Sequence, residues 1–473
     1  MPSALALLLC IIFVLFLLRL DRKEAPDASL ASWLPTLWIL IISSKGVGTW
    51  FGAQADDDGG SEWDRIVLSA MICIGILVLA SRKLDGIFLL GARKVYLFSA
   101  IKENIWLFFL IAYMLMSILW SDIPYISFKR LVRELGSVIM ALVLLTERDP
   151  RLAAHTVLRR SVYILIPFSL VLIKYFPQYG VSYGRWFGDL SWIGVTVVKN
   201  GLGRLCLIAS FFLIWTLTVR WWRRKTPHSR FQSPADVVVL LVALFLLKGP
   251  PGAYPATAVG ALLISCASFV ALLMMEKWRI RLGARIVMTL VAGLIVFGYQ
   301  TPILGGATVG SFSSVFGRNE SLTGRTDIWS RLLPFFEAKP LEGYGFGSFW
   351  TPSMQNAIYG VREAHNGYLE VCLGIGLIGL VLTAMFLLSF SRKAVRSLVY
   401  DYDWGSLCLC FLLIGLLHNF TESSIDSFGR QLMAVLMFLS VCSPRHQKLD
   451  WYGSLQNAAT TKGTRPSMPS VPA

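Results

Sequence analysis

The stretch Tyr368–Phe390 reads YLEVCLGIGLIGLVLTAMFLLSF. It holds one charged residue, Glu370, near its start. As a helix rising 1.5 Å per residue it would reach about 34 Å, enough to cross the roughly 30 Å hydrocarbon core of a bilayer. Twelve further apolar stretches surround it. Before it come Ala4–Leu18, Ser32–Ile42, Ile66–Ala80, Ile105–Trp120, Leu135–Leu145, Ser161–Phe176, Leu202–Val219, Val237–Leu247, Ala256–Met275 and Ile286–Tyr299. After it come Ser406–Leu417 and Gln431–Cys442. The second, fifth, eighth and twelfth of the thirteen are short, and polar ends such as Ser43, Ser44 and Lys45 extend them toward the interface.

The composition points the same way. Of 473 residues, 55% are hydrophobic and 15% charged, against about 25% charged in an ordinary soluble domain. A soluble enzyme, a disordered chain and a disulfide-built secreted module are excluded. The expected fold class is an all-α polytopic membrane protein with about 12–13 transmembrane helices. The eight cysteines lie in or beside apolar runs without a C-x-x-C pair, so they read as small hydrophobes.

The net charge of +16 has an orienting role in such a chain. With the N-terminus outside, the inside segments 19–31, 81–103, 146–160, 220–234, 276–285, 390–404 and 444–473 hold 28 of the 44 Lys and Arg residues. The acidic run Asp56-Asp57-Asp58 then falls outside. No basic soluble domain exists to hold nucleic acid, so none is expected as a partner. Ala4–Leu18 lacks a basic n-region and an A-x-A site, and reads as an anchor, not a cleaved signal. The expected organisation is transmembrane helices with short loops over 1–300, one large structured outside loop over 301–366, C-terminal helices over 367–443 and a polar disordered tail over 444–473. No internal repeat and no pattern of broken helices with midplane charges is legible.

The large loop collects the candidate chemistry. Arg318, Arg325, Arg331, Lys339 and Arg362 lie there, with Arg185 and Lys199 in an earlier outside loop. Arginine grips phosphate bidentately. The plainer reading is solvated charge balanced by Glu320, Asp327, Glu337, Glu342 and Glu363. From Gly324 the sequence GRTDIW opens a helix in which Trp329, Leu332 or Leu333, and Phe336 recur at helical spacing and make one face apolar. Arg325 sits in its first turn, where unpaired backbone N–H groups favour anions. Gly343-Tyr344-Gly345-Phe346-Gly347 alternates glycine with aromatics, and reads as a tight turn or as a backbone nest for phosphate. Asn366 is a plausible N-cap for the span that follows. His365 stands beside it, and with His418 forms the outside histidine pair. Histidine is the usual general base near neutral pH, although a lone loop histidine is more often structural. Asp56–Asp58 reads as a solvated acidic loop, not a metal pair.

Together these residues resemble a known family. Gly324-Arg325-Thr326-Asp327-Ile328-Trp329, Gly343 to Phe349, Ala364-His365-Asn366-Gly367-Tyr368-Leu369-Glu370 and Gly376-Leu377-Ile378-Gly379 are similar, in order and spacing, to the conserved block of the O-antigen ligase and polymerase superfamily. Ile118 to Asp122, Phe128-Lys129-Arg130, Gly194-Val195-Thr196, Lys199-Asn200-Gly201-Leu202-Gly203 and Asn419-Phe420-Thr421-Glu422 resemble its exopolysaccharide-production, ExoQ-like branch. The resemblance departs at Val198, where such relatives often carry histidine, and over 248–257, where their Ser, Asp and Thr are replaced.

The resemblance implies a GT-C-like membrane glycosyltransferase of the bacterial inner membrane, its active site facing the periplasm. Its donor would be an undecaprenyl-pyrophosphate-linked oligosaccharide. Its acceptor would be a glycan or lipid A-core. Further partners would be the lipid bilayer and other polysaccharide-assembly proteins. No cofactor and no metal are expected. Carried over by motif, Arg325 and His365 would be catalytic. Arg185, Lys199, Asn200, Asn366, Tyr368 and Glu370 would bind substrate. A polytopic transporter or flippase of a lipid-linked glycan is the alternative from another class.

Overall fold

The computed structural model describes residues 1–52, 60–84, 102–183, 190–223, 232–250, 254–305, 324–358 and 360–443. All thirteen apolar stretches are helical. The helices are α1 (Ser3–Glu24), α2 (Trp33–Ile42), α3 (Glu62–Leu84), α4 (Ile105–Met116), α5 (Pro124–Leu145), α6 (Pro150–Tyr175), α7 (Lys199–Arg223), α8 (Gln232–Lys248), α9 (Ala256–Lys277) and α10 (Ala284–Ile303). They continue with the loop helix α11 (Arg325–Ala338), then α12 (Gly367–Tyr400), α13 (Tyr402–His418) and α14 (Gln431–Val441). Among the described residues the only sheet pairs Val181–Tyr183 with Leu190–Trp192.

The chain is an all-α polytopic membrane protein. Among the described residues seven helices, α1, α3, α6, α7, α9, α10 and α12, are long and apolar enough to cross a membrane. The others are shorter or, like α5 with Lys129, Arg130, Arg133 and Glu134, too charged in one half. α14 is buried along its whole length, so it lies inside the bundle against α13 and α5 and never faces lipid. α12 packs on α10, α13 and α4.

The stretch 368–390 is not one continuous helix. Ile375 and Gly376 leave helical geometry, with Gly376 at φ 67°. The 339–347 loop enters the break. The N–H of Leu377 donates to Pro340 O at 2.9 Å, that of Ile378 to Leu341 O at 3.2 Å, and that of Tyr344 to Leu373 O at 3.0 Å. Backbone groups freed at the break are thus satisfied by protein, the condition for non-helical backbone at membrane depth. Only glycine fits there, since a Cβ on Gly376 would lie 2.0 Å from Leu341 O. The sequence shows no pattern of broken helices with midplane charges, and this one break was not legible in it. The apolar pattern survives a two-residue break and conceals it.

Gly343, Gly345 and Gly347 all take positive φ, which makes the expected tight turn. The amides of Gly343, Tyr344, Phe346 and Ser348 are already donated to protein acceptors, which takes four of the donors that the phosphate-nest reading would use.

At the opposite end, the acids of α1 meet the bases of α6 and α7. Asp21 pairs with Arg159 at 2.9 Å and Arg160 at 2.7 Å, and Glu24 with Arg220 at 2.6 Å. Arg220 also reaches Asp236 of α8. This ties α1 to α6, α7 and α8 through buried charge.

Candidate active site

The site lies where α7, α11, the residues before α12 and the 419–430 connection converge. That connection is held by Asn419. Its Oδ1 accepts the N–H groups of Ser424 at 2.7 Å and Ile425 at 3.1 Å. Its carbonyl accepts the N–H of Gly367 at 2.9 Å. Gly367 is required for this approach, since a Cβ there would fall 2.0 Å from Asn419 Oδ1.

Asn366 caps α12 as expected, its Oδ1 accepting the N–H of Leu369 at 2.9 Å. Its Nδ2 donates to Gly298 O and Phe420 O, both at 3.1 Å. Tyr368 is fully buried and donates its hydroxyl to Leu416 O at 2.9 Å. The Glu370 carboxylate accepts the Ala364 N–H at 2.6 Å and the Trp350 indole N–H. These three side chains therefore build the wall that aims the residues just ahead of them.

His365 is one of two non-glycine residues with positive φ among those described, at 52°. A left-handed histidine is uncommon, and such strain tends to gather at functional positions. Arg325 opens α11 after Gly324, which turns at φ 84°. The helix is docked by its buried apolar face and by the Trp329 indole, which donates to Ala364 O at 2.9 Å. Arg325 and His365 are thereby tied to one another.

Glu422 is the common partner. Its carboxylate accepts from Asn200 Nδ2 at 2.7 Å and from the Arg325 guanidinium. His365 Nδ1 lies 3.3 Å from Glu363 Oε1 and 3.8 Å from Glu422 Oε2, without hydrogen-bond geometry to either. Arg430 joins Glu363 at 3.0 Å and Asp426 at 2.9 Å. Arg204, one turn beyond Asn200 on α7, donates to Ser424 Oγ at 3.1 Å. The electrostatics follow from these contacts. Burial alone would raise the Glu422 carboxyl, but Arg325, then His365 and His418, bring it down to about 2. Burial alone would lower His365, but the Glu422 and Glu363 carboxylates outweigh it and raise the imidazole above its ordinary value.

Donor atoms of Glu363, His365 and Glu422 come within 4.8 Å of one another. The guanidinium of Arg430 lies against the Glu363 carboxylate and that of Arg325 against the Glu422 carboxylate.

Of the sequence-predicted residues, Asn200, Arg325 and His365 come together, and half-buried Lys199 stands next to Asn200 at the start of α7. Asn366, Tyr368 and Glu370 frame them. Arg185 and Asp56–Asp58 lie outside the described residues. Glu422, Glu363, Arg430 and Arg204 are additions. Glu363 reads in the sequence as solvated loop charge. Glu422 belonged to a recognised motif, and its signal was a carboxylate closing an otherwise apolar run.

Residues 237–384, which include Arg325 and His365, match the family model described as O-antigen ligase. The chain is also similar to the exopolysaccharide production protein ExoQ of Rhizobium meliloti strain 1021, with 24% identity over 318 residues, 64% of this chain and 68% of the relative. The resemblance to the O-antigen ligase family is borne out. The matched region ends inside α12, before Glu422. Asn200 precedes it. The convergence on Glu422 thus joins the matched region to the rest of the bundle.

Proposed function

We propose that this chain is a membrane glycosyltransferase of polysaccharide polymerisation or ligation. It moves a glycan from an undecaprenyl-pyrophosphate carrier to an acceptor hydroxyl on the periplasmic face of the inner membrane. The observation that carries this reading is the meeting of Arg325 and His365, from two motifs of the matched region, at one end of a membrane-spanning bundle.

The chemistry needs little machinery. The glycosyl diphosphate is already activated, so the protein orients an acceptor, helps remove a proton and stabilises the departing charge. The acceptor oxygen forms a bond to the anomeric carbon while the bond from that carbon to the diphosphate oxygen breaks. The electron pair leaves on the diphosphate, and the acceptor proton passes to His365. Arg325 faces the departing diphosphate, with Lys199 and Arg185 as further phosphate contacts. Asn200 holds the carboxylate side of the pocket. Asn366, Tyr368 and Glu370 keep the binding wall in shape. The two arginines on the carboxylates support a metal-independent reaction. The excess of Lys and Arg in segments facing the other way supports the periplasmic placement.

The transporter reading draws on the break in α12, a feature common in transporters. Here the chain's own loop fills the break, which leaves it as packing and not as a passage.

Arg325→Ala and His365→Ala are expected to insert normally and to lose glycan transfer by at least about 100-fold. Retained transfer by either purified variant would remove that residue from the chemistry. Deletion of the gene, with gels of surface and secreted glycan, separates the two activities. Single units without chains indicate a polymerase. Carrier-linked polymer without attachment indicates a ligase.

A further inference from the structure

We propose that Glu422 is a positioning residue for this transfer: one carboxylate aligns the Arg325 guanidinium through Oε1 and, together with Glu363, turns His365 so that Nδ1 faces the acids and Nε2 is the nitrogen offered to the acceptor. The proposal rests on the reading of His365 as general base.

Three observations carry it. Glu422 is buried, with 5% of its side chain exposed, and a buried carboxylate persists only when it is paired and hydrogen-bonded. Its partners come from three separate elements: Asn200 on α7, Arg325 on α11 and His365 before α12. The backbone around it is fixed independently, since Glu422 N–H donates to His418 O at 3.1 Å and Asn419 holds Ser424 and Ile425. The carboxylate thus stands on a backbone held by its own hydrogen bonds, and the arginine and imidazole meet it there. At 3.3 and 3.8 Å the two carboxylates act on the Nδ1 side of the ring through charge, which stabilises the imidazolium once formed.

The charged groups around His365 are Glu363 from its own loop, Glu422 and Arg430 from the 419–430 connection and Arg325 from α11. Asp426 neutralises Arg430, and Arg204 and His418 face Glu422 from α7 and the end of α13. Two acids thus face the imidazole directly. Removing one of them makes the imidazolium easier to deprotonate. A diphosphate arriving at Arg325 also competes with Glu422 for the guanidinium.

Glu422→Gln keeps the shape and the acceptor for Asn200 but removes the charge. The test is transfer by the purified protein across pH, using the undecaprenyl-diphosphate-linked glycan isolated from the deletion strain. Because the base must be neutral, the rate climbs with pH through the His365 value. In Glu422→Gln that climb moves to lower pH by about one unit, and the plateau rate falls because Arg325 is no longer aligned. A climb that stays where it is, with His365→Ala inactive, overturns the proposal and leaves the base assignment standing. An active His365→Ala overturns the base assignment itself. If Glu422→Gln does not fold, Glu422→Asp decides. It keeps the charge and shortens the reach, so the climb stays in place and the KM for the donor rises severalfold. An unchanged KM in Glu422→Asp overturns the proposal.

Discussion

At the scale of single residues, the decisive fact is that His365 and Arg325 share one acid, Glu422. Glu422 is held near 2 by Arg325 and its neighbours, whereas His365 is raised by Glu422 and Glu363. The consequences for stability have opposite signs. A depressed carboxylate stabilises the fold above its ordinary value of 4.5, and that contribution is lost as pH falls toward 2. A raised histidine stabilises it below 6.5, and that contribution is lost as pH rises through the folded value. Both are complete between 4.5 and 6.5. The melting temperature of the wild type in detergent should therefore exceed that of His365→Ala most at about pH 5.5 and progressively less above neutrality. A gap that widens with pH would contradict the assigned ion pairing. His365 and Arg325 stood out in the sequence through the resemblance of their motifs to a known family, while position in a loop alone favoured a structural histidine and a solvated arginine. Glu363 did not, because an acid next to Arg362 in a loop looks the same whether it is solvated or turned toward an imidazole.

At the scale of elements, the positions of the thirteen apolar helices were legible, whereas only seven of the described helices are long and apolar enough to cross a membrane and the shape of α12 was hidden. Apolar runs report burial, and burial is unchanged when Ile375 and Gly376 leave helical geometry, because the 339–347 loop covers the break. Gly376→Ala tests how much depends on this. Its Cβ would meet Leu341 O, and its φ of 67° penalises any side chain, which together should cost several kcal/mol, on the order of 3. The expected result is a lower melting temperature and faster proteolysis within 324–358. A melting curve matching the wild type would mean that the loop does not need the break. The amphipathic face of α11 was readable from the helical spacing of Trp329 and Phe336, and packing decided that Leu332, not Leu333, is the buried residue between them.

At the scale of the whole molecule, two polar assemblies sit at opposite ends of an apolar bundle. One is the candidate site. The other clasps α1 through Asp21, Arg159 and Arg160, all nearly inaccessible. Removing one member of a buried pair leaves uncompensated charge and costs about 3–5 kcal/mol. Asp21→Asn should accordingly lower the detergent melting temperature markedly, with α1 becoming the first segment opened in hydrogen exchange. Wild-type stability in that variant would show the pairing to be energetically idle. The sequence placed these bases among the charges that set orientation. Their burial against α1 is a packing outcome that charge counting does not reach.

The sequence by itself determined the class of molecule, the positions of its helices and the residues of the matched motifs, because hydropathy and helical spacing are local properties of a chain. Tertiary structure alone decided that the opening stretch 368–390 is broken and plugged by a loop. It alone decided that Asn200, Arg325 and His365 meet at Glu422. Those contacts join residues separated by tens to hundreds of positions. Periodicity records which side of a helix is buried, and only packing determines what it is buried against.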